Sequence, residues 1–275
     1  MDFPALLVWE SANTFKTICY RRKDMYHLIR VDNHTWAYED RMPDGDTVRF
    51  FVLDGQERCL VIDSGYLPVD VKGMVSELLK KEGRELTSDG KEKELLLANT
   101  HGDMDHTGGN GSFPFFYITK TDYENCALKE KFPDTQYIAA EEGTQIELGD
   151  RTIRYYLAPG HTYGNAVILD VTNRILFPGD MVQTGTMFMF GEHRCPECME
   201  ESLLKLMKMQ DLYDKIYSCH GKMILLPDAV KETLTAWRKA RAGQVKPEKA
   251  TLFGTVEVDL YRCGFCNFYC DVRNR

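Results

Sequence analysis

Thr100-His101-Gly102-Asp103-Met104-Asp105-His106 follows directly on the apolar run Leu95-Leu96-Leu97-Ala98. Two imidazoles and two carboxylates crowd the end of a predicted strand. Such a set of neutral nitrogen and anionic oxygen donors is what a cation needs and what a packing core avoids. We read the stretch as the nucleus of a metal site. Side chains two apart on a strand share a face, and a tight turn after it gathers neighbours around one centre. Thr100 and Gly102 suit that turn, and Gly108-Gly109 let the backbone leave without crowding the donors.

Working outward, three further donors each close a segment that reads as a strand. Tyr155-Tyr156-Leu157-Ala158-Pro159-Gly160 ends at His161, Ile175-Leu176-Phe177-Pro178-Gly179 at Asp180, and Ile216-Tyr217-Ser218-Cys219 at His220. Donors carried on the same ends of successive strands converge at one rim of a layered fold, where rigid elements hold them and solvent still enters.

With these residues in this order, the chain resembles the metallo-β-lactamase-fold superfamily, whose usual pattern is H-x-H-x-D-H, then a His after a strand, then an Asp, then a final His. The pattern falls on His101, Asp105, His106, His161, Asp180 and His220, with Asp103 where the family usually has its second His. The resemblance spans roughly residues 27 to 225. It implies an α+β fold, a four-layer αββα sandwich with a metal centre at one edge. It also implies two divalent metal ions, zinc by family and iron or manganese as alternatives. His101, the residue at 103 and His161 would hold one, Asp105, His106 and His220 the other, and Asp180 would bridge. Asp63, in Ile62-Asp63-Ser64-Gly65, matches an early turn of the family that lies beneath the metals.

Two cations so placed activate a hydroxide near neutral pH and polarise an electrophilic oxygen, with Asp105 as the catalytic residue that orients the nucleophile and handles its proton. The expected function is hydrolysis of an ester-type bond (thioester, lactone or phosphodiester) in a small metabolite. Asp180 stands where many zinc β-lactamases have Cys, which argues against antibiotic hydrolysis. Asp103 alters the charge balance: three carboxylates and a hydroxide offset two divalent cations in full, whereas a His there would leave one positive charge. On that count the site should be a weaker Lewis acid, with a preference shifted toward iron or manganese, and the short Asp side chain should leave the first position weakly held. Two other classes stay open: a diiron oxidoreductase, since flavodiiron proteins carry an acid at the same place, and a non-catalytic metal-binding protein.

The bulk composition narrows the partners. With 34 basic and 42 acidic side chains the net charge is −8, and no lysine or arginine stripe appears, so nucleic acid is not expected as an obligate partner. The start, Met1-Asp2-Phe3-Pro4-Ala5, lacks a basic region, and no segment approaches the ~20 apolar residues of a membrane span. A cytoplasmic protein acting on a small molecule is expected, with the oligomeric state left open. The 9 cysteines, an odd number, point to mostly reduced thiols.

Residues 27 to 63 read as an antiparallel meander with turns at Asp44-Gly45 and Asp54-Gly55. Helical stripes follow over Val69 to Lys81, Ser202 to Tyr213 and Ala229 to Ala242. One metallo-β-lactamase-like domain is expected over 1–250, with 251–275 a tail packed on it or extending it, and Lys246-Pro247-Glu248-Lys249 as a linker. Cys195, Cys198, Cys263 and Cys266 form two C-x-x-C pairs, with His193 and Cys270 nearby, and suit either a structural zinc knuckle or independent thiols. Tyr163 is a candidate oxyanion donor or a strand cap, Met187 to Phe190 a candidate apolar wall, and Cys219 a packing residue rather than a nucleophile. His27 and His34 read as ordinary surface or core residues.

Overall fold

The computed structural model describes residues 6–11, 14–18, 26–41 and 46–271. Alternation along two early strands decides the layering. In Thr47–Asp54 and Arg58–Ile62, Phe51, Leu53, Leu60 and Ile62 lie on one face while Phe50, Val52, Cys59 and Val61 lie on the other, and both sets are buried. A sheet apolar on both faces has to be covered on both. The first set packs on Ile153, Tyr155, Ile168 and Phe177 of a second sheet, and the other lies under the helix Val71–Glu82 through Val71, Val75, Leu78 and Leu79.

The first sheet has seven strands, in the spatial order Tyr26–Arg30, Thr35–Arg41, Thr47–Asp54, Arg58–Ile62, Glu94–Ala98, Phe115–Ile118, Gln136–Ala139. The first four form the expected antiparallel meander, and the last four run parallel. The second sheet orders Gln145–Glu147, Thr152–Leu157, Ala166–Asp170, Ile175–Phe177, Lys215–Tyr217 and Ile224–Leu225. Its outer face is covered by the helices Met199–Lys208 and Ala229–Arg241, which bury Leu203, Leu206, Val230, Leu234 and Trp237. Helix, sheet, sheet and helix make the four-layer α+β sandwich. Leu6–Ser11 and Thr14–Ile18 pair with each other in a separate antiparallel ribbon.

Three expectations change. The helix read over Ser202 to Tyr213 starts earlier, at Met199, and ends at Lys208; a short 3-10 turn at Gln210–Leu212 follows, and the buried Tyr213 is extended, its hydroxyl donating to the Leu206 carbonyl. Glu248 and Lys249 are not linker but the start of the strand Glu248–Leu252, which pairs with Val256–Arg262; that strand pairs with Asn267–Asp271, which lies parallel to Thr186–Met189. This four-stranded sheet buries Met187 and Met189 in the core beneath the outer helices and turns Phe188 toward Phe190 and Tyr269, so the four residues 187 to 190 do not act together as a pocket wall. The Asp44-Gly45 turn and Cys19 lie outside the described residues.

Candidate metal centre

Strand direction gathers the donors. Thr152–Leu157 and Ile175–Phe177 are each antiparallel to Ala166–Asp170 and so run the same way, and Lys215–Tyr217 is parallel to Ile175–Phe177. His161, Asp180 and His220 therefore follow the carboxyl ends of three co-directional strands. In the other sheet, Asp63 and His101 follow the ends of the parallel strands Arg58–Ile62 and Glu94–Ala98. The two rims are stitched by the Ala166 amide, which donates to the Thr100 carbonyl at 2.9 Å. Gly179 holds φ +55, and a Cβ there would lie 2.6 Å from Thr100 Oγ1, so glycine is required both for the left-handed turn and for the approach that delivers Asp180.

All seven sequence-assigned donors meet at this rim. His106 Nε2 and His220 Nε2 lie 3.2 and 3.3 Å from Asp180 Oδ1, and Asp105 Oδ2 lies 3.6 and 3.4 Å from the same two nitrogens. These spacings are close to the edge, about 3.3 Å, of a tetrahedron of nitrogen and oxygen ligands about 2.0–2.1 Å from a central ion. On the other side, His161 Nε2 is 3.0 Å from Asp103 Oδ2 and 3.6 Å from Asp180 Oδ2, and His101 Nε2 is 3.7 Å from Asp103 Oδ2. Asp103 thus reaches the cluster despite its short side chain.

The fit to cations is tested by what the ring nitrogens lack. Nε2 of His101 and of His106 are buried without a hydrogen-bond partner, a costly arrangement unless a third body sits between them and the carboxylates. His106 Nε2 is close to Asp180 yet not aligned on it as a hydrogen bond, as expected of two donors facing a common ion. The far sides of His106 and His220 are braced, while Nδ1 of His161 is buried without a partner. Asp63, held at φ +61, accepts from His106 Nδ1 at 2.8 Å and from the Thr100 amide and hydroxyl, each at 2.8 Å, and the Thr47 carbonyl lies 2.9 Å from His220 Nδ1. Such outer partners fix ring orientation and tautomer. The donor set therefore fits metal ions.

Charge in the cluster follows from the same geometry. Burial works to raise Asp103, Asp105 and Asp180, but neighbouring guanidinium and imidazole groups outweigh it and hold all three below the ordinary carboxylate range: Arg194 with His101 and His161 for Asp103, His106 and His220 for Asp105, and His220 and His161 for Asp180. Burial disfavours charge on His220 too, yet Asp180 and Asp105 lift it to about 10, and Asp105 and Asp63 hold His106 well above its ordinary value. His161 goes the other way, lowered by burial and by Arg194 to about 4.

Several site residues carry no signal of their own in the sequence. Arg194 grips Asp103 through Nη1 and Nη2 at 3.0 and 2.6 Å. The buried Asp122 accepts from the Gly102 and Gly164 amides and the Thr162 hydroxyl at 2.9, 2.8 and 2.7 Å, tying the His101 turn to the His161 turn. Cys219 donates its thiol to Asp180 Oδ1 at 3.1 Å, and burial together with Asp180 pushes that thiol well up, so it is a protonated brace and not a nucleophile. Tyr163 is 44 % exposed and its hydroxyl donates to Glu197, not into the cluster. The knuckle does not assemble. Cys195 and Cys198 close a disulfide, Cys263 and Cys266 pack as thiols in the core, and among the described residues neither joins Cys195 and Cys198 at ligand distance. Strand pairing with Thr186–Met189, rather than zinc, fixes the tail.

Comparisons with known proteins agree with this geometry. The chain is 24% identical over 191 residues to the human (Homo sapiens) acyl-coenzyme A thioesterase MBLAC2, covering 58% of this chain and 67% of that protein. It is 31% identical over 191 residues to the hydroxyacylglutathione hydrolase of Rhodopseudomonas palustris (strain HaA2), covering 66% and 68%. It is 23% identical over 252 residues to the coenzyme F420H(2) oxidase of Methanothermobacter thermautotrophicus, covering 77% of this chain and 58% of the oxidase. Among solved structures, the metallo-beta-lactamase from Pontibacter korlensis superposes with a TM-score of 0.64 at 15% identity over 78% of this chain and 99% of that one, a likeness of fold. The family model of the metallo-beta-lactamase superfamily matches residues 43–254. With the fold, the rim of donors and this match in agreement, the chain belongs to the metallo-beta-lactamase superfamily and is a metallo-hydrolase.

Proposed function

We propose that the chain holds two divalent cations and hydrolyses the thioester bond of a small acyl metabolite. His101, Asp103 and His161 would hold one ion, Asp105, His106 and His220 the other, and Asp180 would lie between them, with zinc, iron and manganese as the candidate metals. The observation that carries the reading is the approach of these seven side chains at one rim, with Nε2 of His101 and of His106 buried and unpartnered. Bound there, the cations would bring the pKa of water toward neutrality and polarise the scissile carbonyl.

The residues of the chain supply the rest. Asp105 is ionised and lies at the rim beside His220, placed to accept the proton of the attacking water. Asp63 keeps the Nε2 side of His106 turned to the cluster. All three carboxylates are held in the charged form, so they act as bases and ligands rather than as acids. A leaving group that departs without a proton suits such a site, and a thiol, with a pKa of about 8.5, departs far more readily as its anion than an alcohol. The relatives support the same choice: one is an acyl-coenzyme A thioesterase, the other hydrolyses hydroxyacylglutathione, an acylated thiol.

The reading extends to one folding unit, residues 251–271 adding strands to the 1–250 domain through Phe268 on Trp237, and to a cytoplasmic enzyme with no obligate nucleic-acid partner. Among the described residues no helix is long and apolar enough to cross a membrane.

Free-thiol release from acyl-coenzyme A and hydroxyacylglutathione, measured beside a lactone, a phosphodiester and a β-lactam, tests the substrate class. The thioesters should turn over fastest, chelation should abolish the rate, and Asp105→Asn should lower kcat/KM by about a hundredfold or more. No turnover of any substrate by fully loaded protein would leave a metal-binding protein without catalysis. Oxygen reduction by the iron-loaded protein, with no thiol release, would replace hydrolysis by redox chemistry.

A further inference from the structure

Arg194 is built into the metal centre rather than draped over it. Its guanidinium makes a two-pronged contact with Asp103, at 3.0 and 2.6 Å, and its buried Nε has no partner, so its bonds are spent on this one carboxylate. The loop on either side is pinned to the His161 turn: the Tyr163 amide donates to the His193 carbonyl at 3.0 Å, and the Cys195 amide donates to the Gly160 carbonyl at 2.9 Å. Cys195 is further tied to Cys198, the residue that opens the helix Met199–Lys208. The Arg194 side chain is 13% exposed. A surface arginine pays rotamer freedom to hold one pose; here backbone bonds have already fixed the direction.

We propose that Asp103 and Arg194 act as one unit, electrically equivalent to a neutral histidine at the first metal position. The inference rests on the reading of this cluster as a metal centre. Asp103 brings a negative charge where the family pattern has an uncharged imidazole, and Arg194 brings the opposite charge to the same carboxylate. The sum is zero, and the carboxylate still presents Oδ2 toward His161 and His101. The charge balance drawn from Asp103 alone, which gave a fully neutralised site and a weaker Lewis acid, leaves out this cation; with Arg194 counted, the balance returns to that of the usual pattern. Arg194 is thus a positioning and charge-setting residue.

Three consequences follow from the electrostatics. Removing the Arg194 charge leaves Asp103 as an uncompensated anionic donor, and the weaker metal equivalent should bind more tightly. Replacing Asp103 by His with Arg194 in place aims an unopposed guanidinium at the cations, and that equivalent should bind more weakly. Making both changes restores a neutral position, and binding should return toward wild type.

The test is a double-mutant cycle on the chelated, refilled protein, read by zinc titration calorimetry with elemental analysis of stoichiometry. Arg194→Met should tighten the weaker equivalent roughly tenfold, Asp103→His should loosen it roughly tenfold or lose it, and Asp103→His with Arg194→Met should lie within about threefold of wild type. Arg194→Lys and Arg194→Gln separate charge from shape with smaller risk to folding: Lys should stay near wild type and Gln should follow Met. Arg194→Met without effect and a double variant that binds as weakly as Asp103→His alone, or Lys and Gln behaving alike while zinc still binds, would overturn the pairing and leave the metal centre standing. Wild-type protein that takes up no divalent metal would overturn the metal reading and the pairing with it.

Discussion

Asp63 sits under the centre at φ +61 and fixes the ring of His106 through a 2.8 Å contact. Asparagine tolerates that backbone but cannot hold the imidazole through an anionic acceptor. Asp63→Asn should therefore lower metal affinity by about ten- to a hundredfold while leaving the far-ultraviolet circular dichroism unchanged. Calorimetric zinc titration checks it. Donors such as His101, Asp180 and His220 were legible in the sequence because His and Asp at the ends of apolar runs are chemically conspicuous. Arg194 and Asp122 were not: Arg194 meets Asp103 across 91 positions and Asp122 meets Gly102 across 20, and neither residue type is unusual in a loop or a short helix. Their roles come from the approach of turns, which no local pattern announces.

Strands and helices deliver these side chains, and one glycine shows how narrowly. Gly179→Ala would meet both a left-handed backbone and Thr100 Oγ1 at 2.6 Å. The conformational cost of about 1–2 kcal/mol and the overpacking cost of about 1–3 kcal/mol add to a loss of roughly 2–5 kcal/mol. Urea unfolding should show it, with metal content falling alongside as Asp180 shifts. The periodicities of Val71–Glu82 and Ala229–Arg241 gave their helices closely, since each buries a single stripe. Met207, Met209 and Tyr213 continue the apolar spacing of Met199–Lys208 through a turn that is no longer α-helical, so spacing alone extends that helix to Tyr213. The tail escaped notice as a sheet because its partner strand, Thr186–Met189, lies far back in the chain and its pairing is non-local.

For the molecule as a whole, the four layers were readable from the family pattern and from alternation that buries both faces of Thr47–Asp54. The charge stored at the rim gives a pH signature. In the metal-free protein His220 is raised from 6.5 to about 10, so its contribution to stability is fully present below about 6.5 and is lost as pH rises through about 10. Thermal unfolding of chelated protein should show a falling Tm from pH 6.5 to 9. The gap between loaded and chelated protein should widen over that window, because metal uptake must displace the His220 proton. A gap constant with pH would contradict it. The donors also come from both sheets, with His101, Asp103, Asp105 and His106 from one and His161, Asp180 and His220 from the other. Ions seated there would rivet the two halves together, so prying the sandwich open and letting the cargo go become one event. Neither half expressed alone would carry a full set of clasps.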